Sequence, residues 1–473
     1  MKPVVHLHAR GPAAPVARGS ARIGLIASAA LLSLLAACGG GGGGTGGSAG
    51  PTTCTVAEEN SWLQGHFADT YFWNALAPRP NLAGYTSSAS YFSALLYQGG
   101  DPIPGSTTGA SWPRDRWSGY QSTESFDQFY GEGQTLGYGL AVAGLEVKGQ
   151  PAQPLYVRQV DPGSPAGLAG VQRGDRVLSL NGRAASDIIA ADDFSALTAA
   201  SAGQQLVMQL RRGSADLSVT LAAALYALTP VPQVSVMTTP GGRKVGYLRM
   251  SNFISQALSP LESGFAQFRA QAVQSVVLDL RYNGGGLVSV SSTLGGYLGG
   301  SRAAGQVFAS LVYNPQQASR NTLYRFASPA PASAVESPRV YVLMGRRTCS
   351  ASELVINGLR GVGLEVVAVG EASCGKPVGF QPADQCGKTW SIVNFESVNA
   401  LGQGRYFDGL PATCAVAEDF TQAVGSAGDP LTRAALQHAD SGSCGPGAAR
   451  AVPLYRRSAG DAPEPGERRE MMP

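Results

Sequence analysis

Two residues of this chain have the chemistry of a nucleophile and its base. Ser350 lies in GRRTCSASELVINGL (residues 345–359), directly after an apolar run at 340–344 that reads as a strand. Ser350-Ala351-Ser352-Glu353 fits the S-x-x-E capping box, so a helix is expected to start there. A hydroxyl at a helix start sits among unpaired N–H groups and the positive end of the helix dipole. An oxyanion formed at that place finds donors waiting. Taken alone, S-x-x-E is more often only a cap. Lys376 shifts the balance. It stands in VVAVGEASCGKPVGF (residues 366–380), where an apolar strand runs into a Gly-flanked turn. Burial lowers an amine's pKa towards neutrality, and a neutral amine can take a proton from a serine. Of 35 basic residues only Lys2, Lys148, Lys244, Lys376 and Lys388 are lysines, and the rest are arginines. A retained lysine marks a place where a proton can be given up, which a guanidinium cannot do. The plain alternative is a solvated turn lysine, and Lys388 is read that way.

These residues need elements to hold them. Residues 226–436 read as an alternation of strands and helices, hence an α/β core with a mixed sheet. Strands are expected at 244–250, 275–280, 308–312 and 340–344, and helices at 258–272 and 288–298. The run at 275–280 is apolar throughout, as in a strand buried on both faces. It leads into Asp279-Leu280-Arg281-Tyr282-Asn283-Gly284-Gly285-Gly286, a Gly-rich turn before a helix, which suits an anion or oxyanion. By itself such a turn is an ordinary strand-to-helix connection. Residues 51–130 carry apolar residues at helical spacing (61–73 and 90–97) and read as a small, mostly helical N-terminal domain. Residues 131–225 read as short strands with helices at 164–169 and 193–200. The fold class expected is therefore mixed α/β in several domains. Residues 437–473, rich in Gly, Pro, Ala and Arg, read as a disordered tail.

Only 14% of the residues are charged and the net charge is +3, with no basic block interleaved with aromatics. Nucleic acid is therefore not an expected partner. Residues 1–37 read as an export signal, with Arg10, Arg18 and Arg22 ahead of an apolar stretch. The ending Leu35-Ala36-Ala37-Cys38 resembles the bacterial lipoprotein signal. That resemblance implies cleavage before Cys38, its lipidation, and membrane anchoring in the cell envelope, with residues 38–50 as a Gly-rich tether. Gly39 after the cysteine points to the outer membrane. Six cysteines remain, an even number suited to disulfides, and fifteen pairings are open. If Ser350 and Lys376 meet, Cys349 and Cys374 approach each other too. No metal site or cofactor is expected: cysteine spacings are irregular, and beyond the leader the histidines are His66 and His438.

The same histidine count argues against a Ser-His-Asp triad. Gly46-Gly47-Ser48-Ala49-Gly50 matches G-x-S-x-G but lies in the tether, with neither strand nor helix around it. The stretch from Gly163-Ser164-Pro165-Ala166 through Gly174-Asp175 to Asn181-Gly182 resembles bacterial PDZ domains. Gly137-Tyr138-Gly139-Leu140 resembles their carboxylate-binding loop, where glycine lets N–H groups converge on a peptide's C-terminus. PDZ, then D-L-R-Y-N-G-G-G, then T-C-S-A-S-E, then G-E-A-S-C-G-K resembles the C-terminal processing peptidases, also called tail-specific proteases. The resemblance covers about residues 131–409. It implies a serine endopeptidase acting on proteins or peptides with accessible C-termini, with Ser350 as nucleophile and Lys376 as base. It also implies an oxyanion hole from the N–H groups of Ala351 and Gly285. Many members carry Gln four residues after the lysine. Here Phe380 stands there and Gln381 comes one residue late, so either Gln381 orients the amine or a plain dyad operates. The alternative is an inactive, surface-anchored PDZ lipoprotein that only binds peptides, with Ser350 as helix cap.

Overall fold

Val276, Val277 and Leu278 are each fully buried, as an unbroken apolar run requires. In this computed structural model, which describes residues 54–106, 109–445 and 470–472, their strand Ser275–Asp279 is central in a six-stranded sheet. The order is Gln233–Thr238, Lys244–Arg249, Ser275–Asp279, Arg339–Met344, Glu365–Gly370 and Cys414–Ala415. The first pair is an antiparallel hairpin and every other pairing is parallel. Val276 and Leu278 face a core built with the helices Leu258–Ala270, Val288–Ala303 and Ala351–Gly361. Val277 faces the opposite core, against the helix Pro430–Ser441. Each such side chain contributes roughly 1.5–3 kcal/mol by leaving water. Ligand chemistry in sheets of this kind gathers at the carboxyl ends of the parallel strands. Three neighbouring strands here end at Asp279, Met344 and Gly370, each followed by one of the motifs read above.

The segment after Tyr130 forms an antiparallel sheet in the order Leu140–Val142, Leu155–Val160, Arg176–Leu180, Gln205–Arg212, Ala215–Ala222, around its own apolar core. The helix expected at 193–200 is replaced by a helix at Ala185–Ala191 and a short 3-10 turn at Ser195–Leu197. Asp192 ends the helix in a left-handed conformation. Asp193 Oδ1 then accepts from the Ser195 N–H and hydroxyl, a local turn that competes with helix.

Three further expectations are corrected. The N-terminal segment does contain helices, Val56–Thr70 and Ser88–Leu95, but it shares its core with the peptidase-like unit. Leu63, Tyr71, Trp73 and Tyr91 pack with Trp390, Ile392 and Val393, and the strand Gly119–Ser122 pairs with Lys388–Ser391. Residues from 437 on are not all tail: the helix continues to Ser441, and Cys444 is bonded to Cys414. Glu470–Met472 form a strand. Lys388 is not a solvated turn lysine either, since its amine pairs with Glu59 at 2.7 Å. The leader, Cys38 and the Gly-rich tether lie outside the described residues. Among the described residues no helix is long and apolar enough to cross a membrane.

Candidate active site

Ser350 follows the strand Arg339–Met344 and directly precedes the helix Ala351–Gly361. Its backbone takes φ +62° and ψ −117°, a left-handed conformation that costs a side-chain-bearing residue about 1–3 kcal/mol. The surroundings hold it there. Asn283 O, in the Gly-rich turn, accepts from the Cys349 N–H at 3.0 Å and the Ser352 hydroxyl at 3.0 Å. Thr348 Oγ1 donates to Leu280 O at 2.9 Å. Ser350 and Glu353 have the layout of a capping box, and Glu353 Oε2 accepts from the Ser350 N–H at 2.9 Å. The Ser350 hydroxyl, by contrast, is fully buried with no hydrogen-bond partner among the described residues. A buried hydroxyl left unpaired costs stability, which points to a use other than capping.

Glu353 reaches further than a cap. Its carboxylate also accepts from the N–H groups of Gly375 and Lys376, each at 2.8 Å, and from the Ser373 hydroxyl. One oxygen thus takes a hydrogen bond from the backbone of Ser350 and another from that of Lys376. The two turns are bonded a second time by the Cys349–Cys374 disulfide, with Cα atoms 5.2 Å apart. Burial pushes the Glu353 carboxyl above its usual range, against the pull of these donors. Its second set of partners was not legible in the sequence, where S-x-x-E signals only the helix start.

Lys376 is fully buried. Desolvation lowers its amine from the ordinary value of 10.5 to about 7, with Asp115 and then Glu353 pulling the other way. The amine lies 5.0 Å from the centre of the Phe380 ring. Gln381 lines a separate, smaller cavity with His66 and Asn394. Its backbone N–H donates to Asn394 Oδ1 at 3.2 Å, and its side-chain oxygen is buried without a partner among the described residues. Phe380, not Gln381, is therefore the side chain beside the lysine.

At the start of the helix after Ser350, Ala351 supplies the first helical N–H, one of those a helix leaves unbonded. In the Gly-rich turn, the Gly285 N–H already donates to Asn283 Oδ1 at 2.9 Å. The turn itself is anchored by Arg281, which is buried between Asp279 and Asp429 with guanidinium–carboxylate distances of 2.6 Å to each. Asp429 feels burial, which raises its pKa, but Arg281 outweighs it and the net shift is downward.

A cleft of ≈ 590 Å³ opens beside this site. Gly137, Tyr138, Gly139 and Leu140 line it on one side, and Tyr282, Gly284, Arg347 and Phe380 on the other. Gly139 has φ +75°, and a Cβ there would fall 1.9 Å from that of Ser164, so no other residue fits. The Tyr138 ring belongs to the core of its own sheet. Two contacts tie this segment to the site. Arg347, three residues before Ser350, pairs with Glu146, and the Arg173 guanidinium donates to the Tyr282 hydroxyl at 2.9 Å.

Comparison with known proteins agrees with this layout. Residues 244–398 match the model of Peptidase family S41, and residues 156–212 match a PDZ domain. A carboxyl-terminal-processing protease of Picosynechococcus sp. is 25% identical over 276 residues, covering 56% of this chain and 63% of its own length. The chloroplastic carboxyl-terminal-processing peptidase 3 of Arabidopsis thaliana is 28% identical over 273 residues, covering 54% of this chain and 48% of its own length. The chain thus spans between about half and two thirds of the length of these relatives. A solved Bacteroides fragilis structure ascribed to the S41 proteases shares the fold, with a TM-score of 0.60 at 21% identity over 81% of this chain and 97% of its own. With a matching core, a matching PDZ segment and the motifs in one order at one end of the sheet, this chain is similar to the C-terminal processing peptidases over its S41-like core and PDZ segment.

Proposed function

We propose that the chain is a serine endopeptidase that cleaves proteins or peptides by a Ser350–Lys376 dyad. The observation that carries this reading is the Lys376 amine: wholly desolvated, poised near pH 7, on a loop tied to the serine's turn. Ser350 Oγ attacks the peptide carbonyl carbon and passes its proton to Nζ. The charged Nζ then protonates the leaving amine, and water hydrolyses the acyl-enzyme with the amine again acting as base. The Ala351 N–H and a second donor from the Gly-rich turn meet the oxyanion. Gly285 can serve only by giving up its bond to Asn283, and Gly284, on the cleft wall, is the other candidate in the same turn. The position of Gly137–Leu140 along this cleft supports the expectation that the PDZ loop holds a substrate C-terminus nearby.

The dyad makes a pH prediction. Below about pH 7 the amine is protonated and cannot be a base. kcat/KM should rise about tenfold per pH unit up to that point and then level off. Lys376→Arg should be inactive at every pH, because a guanidinium stays charged. An unchanged profile with arginine in place would reject lysine as base. Stability has its own sign. Between about pH 7 and 10.5 the unfolded chain holds one proton more at this residue, so its cost to stability shrinks as pH rises through that window.

For location, the Leu35-Ala36-Ala37-Cys38 ending supports a lipid anchor at Cys38 on the cell envelope, probed by feeding labelled palmitate. Wild-type chain should carry label and Cys38→Ala none; label in the variant would remove Cys38 from the proposal.

A further inference from the structure

Glu470–Met472 pair in parallel with Gly285–Leu287, the strand that leaves the Gly-rich turn. Glu470 is matched to Gly285, Met471 to Gly286 and Met472 to Leu287. The opposite edge of Gly285–Leu287 is already taken: the Phe253 N–H donates to Gly285 O at 3.0 Å and the Leu287 N–H to Phe253 O at 2.8 Å. Without Glu470–Met472 the remaining edge would present unpaired backbone groups. The added strand runs beside both the helix Ala351–Gly361 and the strand Val378–Gly379. The first begins one residue after Ser350, and the second two residues after Lys376.

Met472 is 3% exposed. It packs among Phe129, Tyr130, Ile254 and Phe380. The same Phe380 forms part of the cleft wall and lies beside the Lys376 amine. An aromatic pocket of this kind suits an unbranched, polarisable side chain, which bends to fit and gains sulfur–ring contacts. Extended backbone on a strand edge, with a pocket for a side chain, is how peptides are held by strand addition.

We propose that the edge of Gly285–Leu287 and the Phe129–Tyr130–Ile254–Phe380 pocket form the subsite for the substrate strand, that the pocket selects a long unbranched apolar side chain, and that Glu470–Met472 of this chain occupies it as an internal blocker. The statement about what is blocked rests on the Ser350–Lys376 reading, and the statement about binding does not. With the segment in place both Ser350 and Lys376 are fully buried. A tethered segment acts at an effective concentration on the order of mM. If the free peptide binds with a Kd of about 100 µM, roughly one chain in ten is open at any time. Releasing the blocker should therefore raise activity about tenfold.

The test uses the full chain and a fluorescent peptide spanning residues 466–473. Binding is read by anisotropy in a Ser350→Ala background, so it does not depend on turnover. Met472→Asp in the chain puts a charge into the pocket and should free the site, making the peptide bind at least tenfold tighter than to Ser350→Ala alone. Met472→Gly, which adds no charge, should act in the same direction if aspartate disturbs folding. A peptide carrying Met472→Asp should bind at least tenfold more weakly than the unaltered one. In the chain with Ser350 intact, Met472→Asp should raise kcat/KM about tenfold. Equal binding to blocked and unblocked chains, or equal binding of the two peptides, would overturn the proposal. Turnover that survives Ser350→Ala would instead remove the dyad, with the binding result standing separately.

Discussion

Ser350→Ala is expected to lower kcat/KM by at least about 10⁴ while leaving unfolding almost unchanged. The size follows from the proposed mechanism, in which Ser350 Oγ is the atom that forms the acyl bond; nucleophile deletions in serine peptidases cost on the order of 10⁶ in kcat. The small effect on stability follows from the geometry. The sequence reading assigns the hydroxyl a cap bond, whose loss would cost ~1 kcal/mol. Among the described residues the hydroxyl has no partner, and it is the Ser350 N–H that bonds Glu353. Alanine keeps that N–H and meets the same left-handed backbone as serine does. Removing an unpaired buried hydroxyl is close to neutral. The check is paired: peptide turnover, and a urea midpoint on the same preparation. A serine-reactive probe should label the wild type and not the variant. Equal labelling, or unchanged turnover, would point to a different nucleophile, whereas a wild type that neither turns over peptide nor takes the label would favour the inactive peptide-binding alternative.

Glu353→Gln is expected to damage both fold and activity. Glu353 Oε2 accepts from the N–H groups of Ser350 and Lys376, and Oε1 from the Gly375 N–H and the Ser373 hydroxyl. An amide turns one of these oxygens into a donor facing two donors, at a fully buried position. Leaving such groups unpaired costs about 1–3 kcal/mol each. A total loss of ~3–5 kcal/mol is expected, measured by urea unfolding. Activity should fall at least about 100-fold, because a shift of an ångström at the reacting groups is enough for that. The residual activity carries a second signature. Glu353 raises the Lys376 pKa, so without its charge the acid limb of the pH profile should move below pH 7. A variant as stable and as active as the wild type would reduce Glu353 to an ordinary helix cap.

How much of this was legible beforehand depends on the range of the interaction. Strand and helix periods are local, so Ser275–Asp279, Arg339–Met344 and the helix starting beside Ser350 could be read from apolar runs and one capping pattern. Reading fails where a short polar turn competes with helix, as at Asp193, or where an aromatic-rich segment joins another unit's core, as Tyr71 and Trp73 do. The partner of Cys414 was open for the same reason, and that of Cys349 could be named only on condition that Ser350 and Lys376 meet, because a fold must first bring the sulfur atoms together.

Residue types alone determined that a hydroxyl, a rare amine and a Gly-rich turn were present, each at the end of an apolar strand. Tertiary structure decided that the three strands are adjacent and parallel, so that their carboxyl ends deliver those groups to one place. It also decided that Glu353 spans two loops, that Phe380 rather than Gln381 stands beside the amine, and that Glu470–Met472 return to the Gly-rich turn. Desolvation of the Lys376 amine belongs with these. It is set by packing on every side, by residues such as Phe380 and those around Asp115, which no short stretch of chain contains.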